Sequence, residues 1–192
     1  MPRLRQAGFT LIELMVAVTV FIILTVIAVP SFSTYFDKSR VRGAADSIVN
    51  EIAQARQVAV KYDRDVALAT AGSGNTWCIG AKQAADPVVG SQAAAAIACD
   101  CSTAAAGCVV DDRQMVIDSA SHDGIALASP SADLIFDGRL GMLADAEDLS
   151  ADDRSFDLTS KSGRYVLTVS ISPLGQASVC SKSGNILGYP SC

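Results

Sequence analysis

Six cysteines are the residues of this chain whose chemistry is easiest to specify. They are all downstream of a long apolar segment: Cys78, Cys99, Cys101, Cys108, Cys180 and Cys192. An even number in that position is typical of disulfides in an oxidising compartment. Zinc is the alternative for the middle three, but their C-x-C-x6-C spacing lacks the usual C-x2-C hooks and has no histidine nearby. The sequence predicts disulfides and leaves the pairing open, although a bridge between Cys180 and Cys192 is favoured because it would hold the C-terminal tail.

Glu13 is the second residue with a specific chemical consequence, because it stands alone in an apolar run. The run covers residues 9–29 and Pro30 follows it. As a helix it would be about 31 Å long, which matches the ~30 Å hydrocarbon core of a bilayer. A carboxylate inside a bilayer is costly unless it has a partner, so it indicates a function. The alternative is that Glu13 lies at headgroup depth, where its charge suits the positive end of the helix dipole.

The helical pattern continues beyond Pro30. Apolar residues recur there at spacings of three and four, as in an amphipathic helix: Val41, Ala45, Ile48, Ile52, Ala55, Ala59 and Tyr62. A cleavable secretory signal is the rival interpretation of the N-terminal segment. The apolar run is too long for one, and "VIAVPSFS" offers no clear cleavage site. The sequence therefore predicts an apolar half-helix that runs into an amphipathic half-helix.

Only short strands are predicted after this helix. Alternation is clearest in "YVLTVSIS", where every second side chain from Tyr165 to Ile171 is apolar. Glycine and serine–glycine turns separate the predicted strands, which are 65–71, 76–80, 113–118, 124–128, 134–137, 154–159, 164–172 and 176–180. Residues 84–107 have no period and are predicted to form an inserted loop. A long helix followed by short strands predicts an α+β fold, with the helix packed on an antiparallel sheet.

Most other chemistry is excluded by what the chain lacks. A net charge of −5 argues against general nucleic-acid binding, because phosphate binding needs a surplus of Lys and Arg. There is no phosphate-binding loop, nucleophile elbow or H-E-x-x-H motif, and the single histidine, His122, is predicted to lie in a solvated loop. The acidic residues between positions 145 and 153 lack EF-hand spacing and are also predicted to be a solvated loop. We expect no enzymatic activity, no cofactor and no metal.

The N-terminal residues carry a specific resemblance. "AGFTLIE", residues 7–13, followed by the apolar stretch and Pro30, resembles the signature of type IV pilins and type II secretion pseudopilins. The resemblance implies that a prepilin peptidase cuts between Gly8 and Phe9 and that Phe9 is then N-methylated. It further implies that Glu13 pairs with the N-terminal ammonium of a neighbouring subunit during assembly. Opposite charges attract strongly in a low dielectric, and each is costly there alone.

The C-terminal half resembles one branch of the same family. "LIFDGRLG" and "VSISPLGQASVCS" are similar to sequences of FimT/GspH-like minor pilins and pseudopilins. The resemblance implies a cleaved leader (1–8), a transmembrane and assembly helix (9–30), and a periplasmic globular domain (31–192) that includes the amphipathic half-helix. The protein would be anchored in the inner membrane by a single pass and then enter a fibre. Its implied partners are other pilin or pseudopilin subunits, the prepilin peptidase and the membrane.

Three functions follow from the resemblance. The first is a minor type IV pilin that primes or caps pilus assembly and supports twitching motility, adhesion or DNA uptake. The second is a pseudopilin of a type II secretion system. The third is a DNA-binding pilin, since some FimT-like pilins carry a Gly-Arg-x-Arg motif near the C-terminus. The corresponding stretch here is "GQAS", residues 175–178, without either arginine, and only Lys161, Arg164 and Lys182 could form a small basic edge. DNA is therefore a disfavoured partner.

Overall fold

A computed structural model describes residues 9–85, 97–128, 133–144, 150 and 152–192, without the side chains of residues 27–31 and 153. One long helix, α1, extends from Leu11 to Tyr62. The chain divides into two compact units, which we call the N-terminal unit (Met1–Phe36) and the C-terminal unit (Asp37–Cys192).

In the N-terminal unit, the described residues 9–26 are mostly apolar and exposed, with Glu13 as the one charged side chain among them. Its large hydrophobic side chains in residues 9–26 are between 49% and 85% exposed. The hydroxyls of Thr19 and Thr25 donate to the carbonyl oxygens of Met15 and Phe21, both at 2.7 Å, so they add little polarity to that surface. A helix that is hydrophobic all round requires a surrounding other than water. Within the described residues, no helical stretch meets the combined length and hydropathy of a membrane span.

In the C-terminal unit, α1 packs on the sheets through the predicted stripe. Six of the seven predicted residues are at most 1% exposed and belong to the core: Val41, Ala45, Ile48, Ile52, Ala55 and Ala59. Tyr62, the seventh residue of the repeat, lies outside the core. It is the last residue of α1, its ring is partly exposed, and its hydroxyl donates to the Asp111 carboxylate.

Within the described residues, ten strands follow the helix, and each pairing between two of these strands is antiparallel. They are β1 (Val66–Ser73), β2 (Thr76–Gln83), β3 (Val109–Val110), β4 (Arg113–Gln114), β5 (Val116–Asp118), β6 (Ala126–Ala128), β7 (Leu134–Phe136), β8 (Ser155–Thr159), β9 (Val166–Ile171) and β10 (Ala177–Ser183). One sheet has the order β5-β2-β1-β7, the second has the order β10-β9-β8-β6, and β3 pairs with β4 alone. Short 3-10 helices occur at Ala105–Gly107 and Asp152–Arg154. The α+β prediction is confirmed.

The single strand predicted over residues 113–118 is wrong, because Met115 interrupts it. The Met115 N–H donates to the Cys108 carbonyl at 2.9 Å, and its carbonyl accepts from the Ala81 N–H at 3.0 Å. The residues before the break pair with β3, and those after it pair with β2. The β3–β4 turn is formed by Asp111 and Asp112, both at positive φ (52° and 57°), as a type I′ turn requires.

Replacing Gly80 with alanine is expected to destabilise the protein by about 1 to 3 kcal/mol, as overpacking does in cores. A Cβ at this position would lie 2.6 Å from the Cys108 Sγ and 2.9 Å from the Cys99 Sγ. The matched control is Gly43→Ala in α1, where a Cβ meets nothing within 4 Å. That change should stabilise the helix by roughly 0.5 to 1 kcal/mol. Urea unfolding of both variants measures the difference, and equal stabilities would contradict the packing.

Candidate functional site

Thr10 and Glu13 form the start of α1 together. The Thr10 Oγ1 accepts a hydrogen bond from the Glu13 N–H at 3.3 Å, and the Thr10 carbonyl accepts from the Leu14 N–H at 3.2 Å. Thr-x-x-Glu is the spacing of a capping box, in which a threonine hydroxyl satisfies an N–H that the helix leaves unpaired. Thr10 was not predicted to be the cap, although the Thr-x-x-Glu spacing is visible in the sequence.

The Glu13 carboxylate is exposed in the first turn of α1. It has no hydrogen-bond or ion-pair partner among the residues that the structure describes. Its neighbours Ile12 and Leu14 are exposed apolar side chains. Phe9 is also exposed, while Gly8 and the rest of the predicted leader lie outside the described residues. The arrangement leaves an exposed carboxylate on the first turn of an apolar helix, accessible to a cation from another molecule.

The cysteines form three disulfides, so none is a free thiolate able to bind zinc. Cys78 of β2 pairs with Cys101, and Cys99 pairs with Cys108. The four sulfurs form one buried cluster against β1 and β5. The C-terminal part of the predicted loop 84–107 is therefore attached to β2 through Cys101. Residues 86–96 of that loop lie outside the described part of the chain.

The third disulfide joins Cys180 of β10 to Cys192, the pairing that the sequence favoured. Two backbone hydrogen bonds lie next to this disulfide. In the first, the Ser181 N–H donates to the Pro190 carbonyl at 2.7 Å. The Cys192 N–H donates back to the Ser181 carbonyl at 3.3 Å. The C-terminal tail is thus held along β10.

A groove of about 750 Å³ lies beside α1 in the C-terminal unit. One wall is a face of α1 with Val49, Ala53, Arg56 and Val60, and the other includes Gly175 and Gln176 of the β9–β10 turn. We call it the Arg56 groove. The groove was not predicted from the sequence, although its α1 wall repeats at helical spacings of four, three and four: Val49, Ala53, Arg56 and Val60.

Two sequence-predicted polar sites differ from expectation. His122 is half-buried, not fully solvated, and its ring stacks on Trp77 with a centroid separation of 6.0 Å. Burial lowers the pKa of His122. Lys182 of the suggested basic edge is already paired with Asp157 at 2.5 Å. Of the predicted acidic loop, Asp145, Glu147 and Asp148 lie outside the described residues, while Asp152 begins the 3-10 helix Asp152–Arg154.

Glu51 is a buried acid on α1 and is only 9% exposed. Its Oε1 has no hydrogen-bond partner. It borders a cavity of about 440 Å³ that Lys61, Asp111 and Arg113 also line. Desolvation raises the pKa of Glu51 to about 7, because burial disfavours the charged form.

Replacing Glu51 with glutamine is expected to stabilise the protein at pH 8. The folded state holds the Glu51 proton more tightly than the unfolded state, so stability falls as pH rises from about 4.5 toward the folded-state pKa of about 7. Above pH 7 the free energy of unfolding of the variant should exceed that of the original chain by roughly 2 to 3 kcal/mol. At pH 4.5 the two should be nearly equal. Urea unfolding at the two pH values measures this. Asp112→Asn in the exposed β3–β4 turn controls for net charge, and a gain for Glu51→Gln that is equal at both pH values would contradict the assignment.

Two family models match the chain. One is described as a prokaryotic N-terminal methylation motif and matches residues 3–29. The other is described as type II transport protein GspH and matches residues 44–175, which is more than half of the chain and includes β1 to β9. No significant match was found among curated proteins or among solved structures.

Proposed function

This chain belongs to the family of type II transport protein GspH, and on that premise we propose that it is a minor type IV pilin that primes or caps pilus assembly. The family comprises minor pilins and pseudopilins of type IV pilus and type II secretion systems. Its members are structural subunits and not enzymes, in agreement with the lack of catalytic motifs in the sequence. What we propose beyond family membership is the role in priming or capping and the type IV pilus as the assembly that contains the subunit.

Processing by the prepilin peptidase is the first step proposed. The methylation motif implies anchoring in the inner membrane before assembly. Cleavage between Gly8 and Phe9 would remove the leader 1–8 and create a new amino terminus, which N-methylation of Phe9 would modify. Residues 9–30 would cross the inner membrane once. Residues 31–192 would be periplasmic, a placement that three disulfides support because they persist in oxidising compartments.

Pairing of Glu13 with a neighbouring subunit is the second step. The observation that carries it is an exposed carboxylate, fixed on a capped apolar helix, without a partner among the described residues. In a low-dielectric surrounding such a charge is costly until a cation joins it. The amine of a neighbour's Phe9 supplies that cation, so stacked subunits are favoured over single ones.

A type II secretion pseudopilus is the second candidate machine, and the description of the matching family model favours it. Deletion of the gene followed by a twitching assay and a secretion assay separates the two. Loss of twitching with normal secretion supports the pilus. Loss of secretion with normal twitching would assign the subunit to secretion, and normal results in both would contradict a role in either machine.

DNA binding is expected to be absent. The stretch 175–178 lacks both arginines, and Lys182 is neutralised by Asp157. We expect no gel shift of double-stranded DNA by the detergent-solubilised full chain at low salt, up to high micromolar protein. A shift that weakens as salt rises would reverse this expectation.

A further inference from the structure

The Arg56 groove is an exposed apolar surface on the C-terminal unit. Val60 is 47% exposed, and Leu140 and Leu174, in the two turns that meet at Arg56, are 66% and 54% exposed. These are three of the six exposed large hydrophobic residues that the structure describes in this unit. Val60 lines the groove, and the two leucines precede the glycines that approach Arg56. Exposed apolar side chains in and next to a groove mark a contact surface. Ile52 of the stripe that packs on the sheets also lines the groove, but the other residues of its α1 wall are not members of that stripe: Val49, Ala53, Arg56 and Val60.

Arg56 is held in place inside this groove. Its Nε donates to the Gly141 carbonyl at 2.9 Å. Gly141 and Gly175 both have positive φ, and a Cβ on Gly175 would lie 2.2 Å from the Gly141 carbonyl oxygen. The two turns therefore close around the arginine only because both residues are glycine. The guanidinium is positioned before any ligand arrives, which reduces the entropic cost of binding.

The charge of the groove specifies one feature of its occupant. Arg56 and Lys61 line it, and no carboxylate does so within the described part of the chain. Lys61 already pairs with Asp111 at 3.4 Å. The terminal amino groups of Arg56 have no partner among the described residues, and an arginine fork is suited to a carboxylate. An occupant that carries an aspartate or glutamate in an apolar surface matches both properties.

The backbone of the groove favours a helix over a strand. In the β9–β10 turn, the Gly175 N–H donates to the Ser172 carbonyl at 2.8 Å, and the Gln176 carbonyl accepts from the Ser172 N–H at 2.9 Å. The Gln176 N–H donates to the Ser172 Oγ at 3.2 Å. These groups are not free to pair with an added strand. The α1 wall from Val49 to Lys61 is about 18 Å long, which accommodates roughly three helical turns.

We propose that the Arg56 groove binds an amphipathic α-helix of a neighbouring subunit, whose apolar stripe carries an aspartate or glutamate that pairs with Arg56. The proposal rests on the assembly role proposed above, because that role supplies neighbours with helices. It adds a contact in the C-terminal unit to the one at Glu13.

Site-specific photo-crosslinking tests the proposal in the full chain. A benzophenone amino acid is placed at Ala53 in the groove, and at Ala106 as a matched exposed position away from it. Fibres are isolated after illumination, and mass spectrometry locates the attachment. We expect an adduct from position 53 on a helix of another fibre subunit, within one turn of an aspartate or glutamate, and no such adduct from position 106.

A charge variant provides the second readout. Ala53→Glu places a carboxylate three residues before Arg56 and should lower the incorporation of the protein into fibres at least tenfold. Ala106→Glu makes the same change elsewhere and should leave incorporation unchanged. Equal melting temperatures of the two variants exclude misfolding.

The outcomes distinguish the groove from the assembly role. Fibres that contain the protein but give no adduct from position 53, or an adduct on a strand or chain terminus, overturn the groove proposal alone. Normal incorporation of Ala53→Glu overturns it as well. Absence of the unmodified protein from fibres overturns the assembly role and the groove proposal with it.

Discussion

Replacing Glu13 with alanine is expected to reduce incorporation of the subunit into fibres at least tenfold while the C-terminal unit stays folded. The variant removes the carboxylate to which a neighbour's N-terminal ammonium would bind. An uncompensated charge in a low-dielectric surrounding costs several kcal/mol, and about 1.4 kcal/mol already changes an equilibrium tenfold. Immunoblots of sheared fibres and of membranes, normalised to total protein, measure the ratio of fibre-incorporated subunit to membrane-bound subunit.

The control lies six residues further along the same helix. Among the described residues, the Thr19 hydroxyl bonds to the Met15 carbonyl of its own helix, so Thr19→Ala should leave incorporation unchanged. Glu13→Gln keeps the length of the side chain and should fail as alanine does, because it lacks the charge. Incorporation of Glu13→Gln at the original level would reject charge pairing and leave only a packing role for this position.

Removing the disulfide between Cys78 and Cys101 is expected to have the largest effect on stability. The bridge closes a loop with a sequence separation of 23 residues, and loss of such a link costs about 3 kcal/mol. Both sulfurs are buried, so alanine is the appropriate replacement at each position. The only tryptophan, Trp77, precedes Cys78, and its fluorescence during urea unfolding in detergent reports the change directly.

The C-terminal disulfide provides the comparison. Cys180→Ala with Cys192→Ala opens a separation of 12 residues at the chain end, where the smaller loop predicts a loss lower by roughly 0.6 kcal/mol. Incorporation into fibres should survive this second pair of substitutions. A Cys78 and Cys101 variant as stable as the original chain would show that the loop is held by other contacts.

Local pattern was sufficient for most elements of this fold. The stripe from Val41 to Ala59 repeats at helical spacing, and the alternation in β9 places Leu167, Val169 and Ile171 in the core as predicted. The break at Met115 could not be found in this way. It depends on hydrogen bonds to Cys108 and Ala81, which are distant in sequence. The β3–β4 turn uses two aspartates at positive φ, a weaker signal than Asn-Gly.

The functional residues also fall into two groups, those that a local sequence motif marks and those that depend on contacts between distant parts of the chain. Glu13 and the Gly8–Phe9 bond are marked by a contiguous motif, so sequence alone was enough to propose their roles. Glu51 resembles any polar residue beside an amphipathic stripe, and it is buried only because other elements of the C-terminal unit cover it. The Arg56 groove requires Gly141 and Gly175 to meet at one arginine, a contact that no local period encodes.

The most direct test of the central claim is the mass of the N-terminal peptide of this chain in purified fibres. The assembly account predicts a peptide that begins at N-methylated Phe9 and contains Glu13. Detection of this peptide in sheared fibres, together with other pilin-like subunits, is the expected result. A chain that keeps residues 1–8, begins beyond Phe9 or is absent from fibres would contradict the account.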